Sequence, residues 1–281
     1  MVRKVVLFLL VSIVLFAGVG TFLILTNGLK NKFNDAVKAE SLALKSTDEK
    51  ITDSSLSKVP PLIQKYLRKS GFVGKDKIHA FRAVFDTALR NERNAIWMSA
   101  VTQHEDFFQK YSRNVYLTAL MKGLPIAIWH SYSDYEAKLM VRLVSLLPIT
   151  DLQGTELSQT ELVMLLNDIS LFAPGALVDA RISWHTVDKK SVEATLTNGT
   201  QKVKAILSFN DEGELKSFVS TDAYFRSADA PPQKEKWSTV VTQYVDFNGY
   251  HLPKNGDAIW HLKEGDFNYS KFTLVKIEYN P

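Results

Sequence analysis

Cysteine is absent from this chain of 281 residues. Its absence excludes disulfide bonds, thiol catalysis, zinc sites built on cysteine and a lipid attached to an N-terminal cysteine. The familiar catalytic signatures are missing as well, namely the H-E-x-x-H pair, the G-x-S-x-G elbow, the G-x-x-x-x-G-K-[ST] loop and a G-x-G-x-x-G after a predicted strand. We therefore expect no catalytic residues, no metal and no cofactor, and predict that the protein is not an enzyme.

A strong surplus of charge is also lacking. The chain has 34 Lys and Arg against 30 Asp and Glu, a formal net charge of +4. Arg3, Lys4 and Lys30 lie in the first 30 residues, which contain no acid, so the rest of the chain carries only +1. Nucleic-acid binding needs a clustered basic face, and we therefore predict no nucleic-acid partner.

Histidines are few and scattered. None of the six forms a close ligand pair, and we expect them to be ordinary strand or surface residues: His79, His104, His130, His185, His251 and His261. A hydrolase would need such a histidine to meet a carboxylate in one pocket, with His130 and His251 as the residues to test.

One long apolar run is present, from Val5 to Leu25. A helix of that length spans about 30 Å, the thickness of the hydrocarbon core of a bilayer. A cleaved signal peptide is the alternative, with small residues at 17–20, but the apolar run continues beyond them. We predict an uncleaved transmembrane anchor at 1–28 and a single-pass membrane protein. Its globular domain is expected on the extracytoplasmic side, because the segment resembles a signal anchor.

The next stretch, residues 29–58, is predicted to be a stalk and linker. Leu29, Phe33 and Val37 form a narrow apolar stripe at helical spacing. This stripe fits a helix packed on the domain, a helix on the membrane surface or a solvated stalk. Residues 46–57 are polar and rich in serine, as in linkers. Residues 59–281 are then expected to form one globular β-rich domain.

Alternation with a period of two dominates this domain and predicts an antiparallel sheet of class α+β. Helices are expected at 60–69 and 158–171, the second with a capping box from Ser158 to Glu161. Hairpin turns are expected at Asn198-Gly199 and Asn248-Gly249, because both residue types tolerate a positive φ. The predicted strands cover 78–89, 95–105, 114–121, 125–133, 138–146, 191–197, 203–209, 215–225, 237–247, 250–262 and 270–279.

Several sequence pieces occur in a characteristic order: residues 152–162, 172–177, Trp184, Trp237, 248–253, Trp260 and 277–279. Together they resemble an uncharacterised bacterial family, a domain of unknown function that follows one N-terminal hydrophobic segment. The resemblance covers about residues 58–280. The chain departs from the pattern at Tyr135 and Ala137, where the resemblance implies turn glycines, so the geometry of the turn at 134–137 is left open.

A looser resemblance concerns the order of elements. Antiparallel strands, a helix ending in Pro-x-x-Leu and further strands are similar to the lipoprotein-localisation-factor fold, a half-barrel that holds acyl chains under a helical lid. The resemblance implies a strongly curved, half-barrel-like antiparallel sheet with covering helices. With the anchor predicted from Val5–Leu25, the expected fold class is such an α+β domain behind one N-terminal transmembrane helix. Residues 173–177 would lie where such a lid closes.

Tryptophan is the most suggestive residue type, and the chain has five of them: Trp97, Trp129, Trp184, Trp237 and Trp260. They either fill the core or line a groove for an apolar or acyl ligand. We predict that these five bind the ligand of a membrane-anchored extracytoplasmic domain, whose partners are the membrane and a lipid or another apolar small molecule. The alternative is an envelope scaffold or interaction protein without a ligand cavity. The oligomeric state is left open.

Overall fold

The computed structural model describes residues 28–45, 48–227 and 230–281. The predicted anchor at Val5–Leu25 lies outside the described residues. Among the helices within those three ranges, none is long and apolar enough to cross a bilayer.

In the described part of the chain, one antiparallel sheet of thirteen strands dominates, in the order β6-β5-β4-β3-β2-β1-β15-β14-β13-β10-β9-β8-β7. The strands are β1 (Ala80–Leu89), β2 (Met98–Phe107), β3 (Ser112–Met121), β4 (Leu124–Ser133), β5 (Glu136–Leu143), β6 (Leu147–Gln153), β7 (Ile182–Thr186), β8 (Ser191–Asn198), β9 (Gln201–Phe209), β10 (Leu215–Ser220), β13 (Lys236–Phe247), β14 (Tyr250–Leu262) and β15 (Gly265–Tyr279). A short ribbon pairs β11 (Tyr224–Phe225) with β12 (Gln233–Lys234). The predicted antiparallel sheet is thus confirmed.

The helices of the described residues are α1 (Gly28–Ala43), α2 (Asp53–Leu56), α3 (Pro61–Lys69) and α4 (Thr155–Phe172). A 3₁₀ turn, Pro174–Val178, follows α4, as expected where proline stops a helix. In α3, Pro61 occupies the first turn, and the residues Ile63, Tyr66 and Leu67 are buried.

Helix α4 lies at the centre, and the sheet curves around it. The helix contacts β3–β6 on one side and β9, β10 and β14 on the other. Its apolar residues Leu162, Leu166 and Ile169 have no exposed surface. The two sides of the sheet also touch each other: the Tyr132 hydroxyl donates to Gln201 Oε1 (2.7 Å) and accepts from Asn198 Nδ2 (2.8 Å).

Helix α1 packs on the outer face of the sheet, opposite α4. Its apolar stripe Leu29, Phe33 and Val37 is buried against Tyr116 and Trp129. Of the three alternatives for this stripe, the structure has the one in which the helix packs on the domain.

The residues predicted as a linker also carry buried side chains, since Ile51 and Leu56 are each 1% exposed. A polar segment can still contain single buried apolar side chains, because its composition describes only the average polarity of its residues. The division into anchor, linker and domain stays a prediction.

The N-terminus of α4 differs from the predicted capping box. The helix begins at Thr155, three residues before the predicted cap. Ser158 lies inside it, where its hydroxyl donates to Gly154 O and accepts the Ala137 N–H, both at 2.9 Å. Glu161 does not turn back to Ser158, because buried partners on the sheet attract its carboxylate. Sequence reasoning also missed strands β6 and β7.

The turn between β4 and β5 has no glycine. Asp134 (φ 50°) and Tyr135 (φ 70°) both occupy the left-handed region, the conformation of a two-residue type I′ turn. Gln201 Nε2 donates to the Tyr135 carbonyl at 2.8 Å. This contact with β9 helps to hold a conformation that glycine would adopt more readily.

Candidate functional site

A buried ionic group lies between β3 and α4. The Arg113 guanidinium donates from Nη1 to Glu161 Oε2 (2.6 Å) and from Nε to Asp168 Oδ2 (2.7 Å), and all three side chains are buried. Glu161 and Asp168 are seven residues apart, two turns of helix, and therefore lie on the same face of α4. Both carboxylates thus face the strand that carries Arg113.

Three further side chains extend this group. His130 on β4 contacts Glu161 (Nδ1–Oε1, 2.7 Å), and His104 on β2 contacts Asp168 (Nδ1–Oδ2, 3.5 Å). Asp106 pairs across the sheet with Arg113 in the β2–β3 register. We call these six residues the Arg113 cluster: His104, Asp106, Arg113, His130, Glu161 and Asp168. They come together because alternate residues of neighbouring strands point to the same face.

Asp106 is the most unusual member. Its side chain has no exposed surface, and neither carboxyl oxygen has a hydrogen-bond partner among the described residues. Burial and the neighbouring Asp168 carboxylate raise the pKa of Asp106 well above its ordinary value. Two carboxyl groups close together in one buried place resist being ionised at the same time, and this favours the protonated form of Asp106.

The other members divide into charged and neutral groups. Burial opposes the charge of Arg113, but Asp168 and Glu161 outweigh it and raise the pKa of the guanidinium. Burial likewise opposes ionisation of the two helix carboxylates, yet Arg113 lowers the pKa of Glu161 and, with His104, the pKa of Asp168, to about 2. Burial lowers the pKa of His104. Arg113 is therefore positively charged, and Glu161 and Asp168 are negatively charged.

His104, Asp106 and Asp168 could in principle hold a metal ion, since one ligand atom from each lies within 4.8 Å of the others. Neutral imidazole and carboxylate are ordinary ligands for divalent ions. At this place, however, the Arg113 guanidinium already contacts Asp168 and supplies positive charge. Arg113 therefore supplies beside Asp168 the positive charge that a metal ion would supply at such a site.

A cavity of about 890 Å³ lies beside the cluster, between α4 and the sheet. Most of its wall is apolar and aromatic, and the cluster supplies a polar region of that wall through His104, Arg113, His130, Glu161 and Asp168. The apolar lining includes Phe85, Leu117, Leu139, Leu152, Met164, Phe172, Trp237, Trp260, Phe267 and Phe272. An apolar concave space with a few polar groups at one place is the usual form of a small-molecule site.

The cavity reaches solvent near the loop that follows β1. Asn91 and Glu92 belong to its lining and are exposed, as are Arg226 and Ser227 after β11. Phe85 and Phe172, by contrast, are buried and their rings lie 4.9 Å apart at the inner part of the lining. The cavity therefore extends from an open end beside the β1–β2 loop inward towards α4.

The structure brings two of the five predicted tryptophans to this cavity. Trp237 donates from Nε1 to the Tyr269 hydroxyl at 3.2 Å, and Trp260 packs edge-on against Phe225. Both are buried side chains in the cavity wall.

The other three tryptophans lie elsewhere. The ring of Trp97 lies against the cationic groups of Arg90 and Lys271. Trp129 packs under α1, and its Nε1 donates to Asn114 Oδ1 at 3.2 Å. Trp184 packs on the core from β7. Residue type alone does not say which face of a strand a side chain occupies, so sequence reasoning grouped all five. Their binding of a ligand stays a prediction.

Sequence reasoning also treated the histidines as ordinary and missed the Arg113 cluster. One signal was present in α4: Glu161 and Asp168 fall on a helix whose other residues at 162–172 are mostly apolar. Acidic residues on the same face of a buried helix need a positive partner. The sequence does not show where that partner lies, because Arg113 is 48 residues away from Glu161.

Solved structures with a similar chain path come from bacteria. A LolA superfamily protein from Nitrosomonas europaea is 11% identical with a TM-score of 0.42, over 78% of this chain and 91% of that one. A domain from Vibrio parahaemolyticus, described as a "putative outer membrane lipoprotein-sorting protein domain", is 8% identical with a TM-score of 0.38, over 72% of this chain and 85% of that one. The similarity to the lipoprotein-localisation-factor fold is thus found, but at these TM-scores it carries no argument about function.

No curated protein matches the sequence. A family model matches residues 49–272, and its description reads "Family of unknown function (DUF6544)". The match covers most of the chain and confirms the predicted resemblance to a domain of unknown function. The chain belongs to the DUF6544 family.

Proposed function

We propose that this protein is a membrane-anchored extracytoplasmic domain that binds one lipid or similar apolar molecule in the cavity beside α4. The observation that carries the proposal is the cavity itself, about 890 Å³ with a mostly apolar wall and one buried polar region. Its volume lies within the range of about 300–1,000 Å³ that is usual for small-molecule sites. The apolar run Val5–Leu25 supports a location at a membrane, where such ligands are supplied.

An alkyl chain is the part of the ligand that this wall would hold. Each buried methylene group contributes about 0.8 kcal/mol, so a chain of about 12 carbons supplies roughly 10 kcal/mol before the cost of association. Phe272 packs edge-on against Phe172 at 5.4 Å and provides apolar contact surface without a polar atom. The aromatic wall thus favours binding without selecting one chain length.

The polar end of the ligand would meet the Arg113 cluster. Because Glu161 and Asp168 are charged and Arg113 is shared between them, a third anion there would be repelled by both carboxylates. A group that donates hydrogen bonds or carries positive charge is favoured instead. The proposed ligand class is therefore a lipid with an amine or hydroxyl group, and not a free fatty acid.

Photocrosslinking tests the cavity. The full chain is placed in vesicles with a trace of phospholipid that carries a diazirine on its acyl chain, and labelled peptides are mapped by mass spectrometry. We expect labels on α4 and β15, in peptides that contain Met164 and Phe272. Leu139→Trp fills the cavity from β5 and should lower this labelling about tenfold, a loss of about 1.4 kcal/mol. The matched control Val275→Trp, at a side chain 50% exposed on β15, should leave it unchanged.

A label spread evenly over exposed residues, with no effect of Leu139→Trp, would refute the proposal. That outcome would favour the alternative of an envelope scaffold without a ligand. Competition with unlabelled amphiphiles tests the polar group: a long-chain amine should displace the probe at a concentration about tenfold lower than the acid of equal length. Equal potency would show that the cluster does not select the head group.

A further inference from the structure

Three hairpin ends lie side by side at one end of the sheet. They are the β1–β2 loop (90–97), the β3–β4 turn (122–123) and the β5–β6 turn (144–146). The registers Leu89↔Met98, Ala100↔Ala119 and Ile126↔Leu143 fix this arrangement. With about 4.8 Å between neighbouring strands, the three ends span roughly 25 Å.

Large apolar side chains point into solvent at each of these ends. We call them the hairpin rim, and their exposed fractions are 90% for Ile96, 62% for Leu120, 49% for Leu124, 61% for Leu147 and 49% for Ile149. Elsewhere in the described ranges, exposed apolar residues such as Leu42, Val187 and Val275 are spread over separate elements. A cluster of exposed apolar residues marks a surface that contacts a membrane or another protein.

The course of α1 indicates which of these two the rim contacts. Lys30, near the start of α1, contacts Gln103 and Tyr116, halfway along β2 and β3. Glu40, near its end, accepts a hydrogen bond from Ser133, the last residue of β4 (2.7 Å). Since β4 begins at the rim and ends away from it, the N-terminus of α1 is directed towards the rim.

The chain therefore leaves the described residues on the rim side, at Gly28. Only Thr26 and Asn27 separate Gly28 from the apolar run Val5–Leu25. Tyr116 lies four residues before Leu120 on β3, a distance of about 13 Å along the strand. If the apolar run enters a bilayer, so short a connection keeps the rim close to the bilayer surface, which favours lipid over a protein partner.

Charged and aromatic groups around the rim fit a membrane interface. Lys122 occupies the tip of the β3–β4 turn and is exposed. Trp97 lies beside Ile96, with the Arg90 guanidinium 4.5 Å from its ring centre. Tryptophan, lysine and arginine are the residues typical of the boundary between hydrocarbon and water.

The open end of the cavity lies beside the same rim. Leu89, Arg90, Asn91 and Glu92 line the cavity and lead directly into the β1–β2 loop that carries Ile96. We propose that the hairpin rim inserts into the bilayer interface and turns the open end of the cavity towards the lipids. This inference rests on the membrane anchoring in the proposed function, and it names the surface through which the ligand would enter.

The absence of cysteine makes a direct test available. Single-cysteine variants of the full chain, Leu124→Cys and Leu147→Cys at the rim and Val187→Cys and Val275→Cys as controls, are labelled with the environment-sensitive dye NBD. Each is reconstituted into vesicles of phosphatidylethanolamine and phosphatidylglycerol. We expect blue-shifted NBD emission at both rim positions, with quenching by spin-labelled lipids at least about twofold stronger than at both controls.

Flotation of the same vesicles separates the two ways in which the inference can fail. Protein that does not float with the lipid contradicts the anchoring, and with it the proposed function. Protein that floats while its rim labels behave like the controls overturns the inference about the rim and leaves the anchoring intact. Blue-shifted rim labels that spin-labelled lipids do not quench would mean that a protein, such as a second copy of this chain, covers the rim, and would also overturn it.

Discussion

The two faces of strands β2–β4 meet their helices in different ways. On the α1 face the rings of Phe33 and Tyr116 lie 5.4 Å apart, and Leu29 and Val37 complete an apolar contact. On the α4 face the same strands present Arg113 to two buried carboxylates and leave a cavity beside them. Both faces come from one stretch of sequence, because successive residues of a strand point to opposite sides.

This difference distinguishes a face that is covered by simple apolar packing from a face with features suited to binding. An apolar contact such as that of α1 is the simplest way to cover a sheet. A buried ion pair seldom stabilises a protein more than apolar residues of the same volume would. The α4 face therefore keeps charges and empty volume that stability alone does not require, and such departures are expected where a protein binds or acts.

The largest effect is expected from Arg113→Met, which leaves Glu161 and Asp168 buried without their cation. Removing one partner of a buried pair costs about 3–5 kcal/mol. Urea unfolding of the full chain in mild detergent should show a loss of this size. A loss below about 1 kcal/mol would mean that the cluster is hydrated or already neutral, and would remove the contrast between the faces.

On the other face, Phe33→Ala should cost about 3 kcal/mol, because it removes a buried ring between α1 and β3. The same unfolding measurement checks this value. Photocrosslinking to the cavity should stay at the wild-type level, since α1 lies on the opposite side of the sheet. Loss of cavity labelling in this variant would show that the two faces are coupled.

Tyr132→Phe tests the contact that joins the two sides of the curved sheet. It removes the hydroxyl that bonds Gln201 and Asn198 and should cost about 1–3 kcal/mol, since the buried Asn198 and the half-buried Gln201 each lose a partner. Hydrogen exchange of β4 and β8 should increase. Tyr135→Phe next to it is the matched control and should change stability by less than about 0.5 kcal/mol.

Asp106→Asn should have the smallest effect on the free energy of unfolding near pH 4–5, and this effect should grow as the pH rises. Because the folded pKa of Asp106 is raised, ionisation favours the unfolded chain, and wild-type stability should fall from about pH 4 up to that raised pKa. The variant lacks this ionisable group, so its free energy of unfolding should rise relative to that of the wild type by up to about 1.4 kcal/mol per pH unit in that window.

The opposite sign applies to Asp168, whose pKa of about 2 in the folded state makes its stabilisation disappear as the pH falls from about 4 to about 2. Unfolding curves measured between about pH 2 and about pH 8 would distinguish the two groups. A constant difference between Asp106→Asn and the wild type would contradict a protonated Asp106.

The sequence predicted local elements well where the pattern repeats. The alternation along β8 and β9 and the Asn198-Gly199 pair give that hairpin directly. The pattern was weakest at β6 and β7, which are short strands at the edges of the sheet. Ser158 and Glu161 matched a capping box, but tertiary contacts with Ala137 and Arg113 used both side chains instead.

The candidate site could be predicted only in part. The sequence indicated an apolar ligand and named Trp237 and Trp260, which line the cavity, together with three tryptophans that do not. It could not place His104 or Asp106, because a strand pattern does not show what lies across from each residue. The register of β2 against β3, and the helix above them, decide that.

The sequence by itself determined an antiparallel α+β fold, a long apolar segment before Gly28 and membership of a recognisable family. The strand alternation and the apolar segment depend on residues close together in the chain, and the family membership depends on the order of sequence pieces along it. Only the tertiary structure decided that Arg113, Glu161 and Asp168 meet, since 48 and 55 residues separate Arg113 from its two partners. The physical reason is that the burial of α4 inside the curved sheet removes water from these charges and leaves them one another as partners.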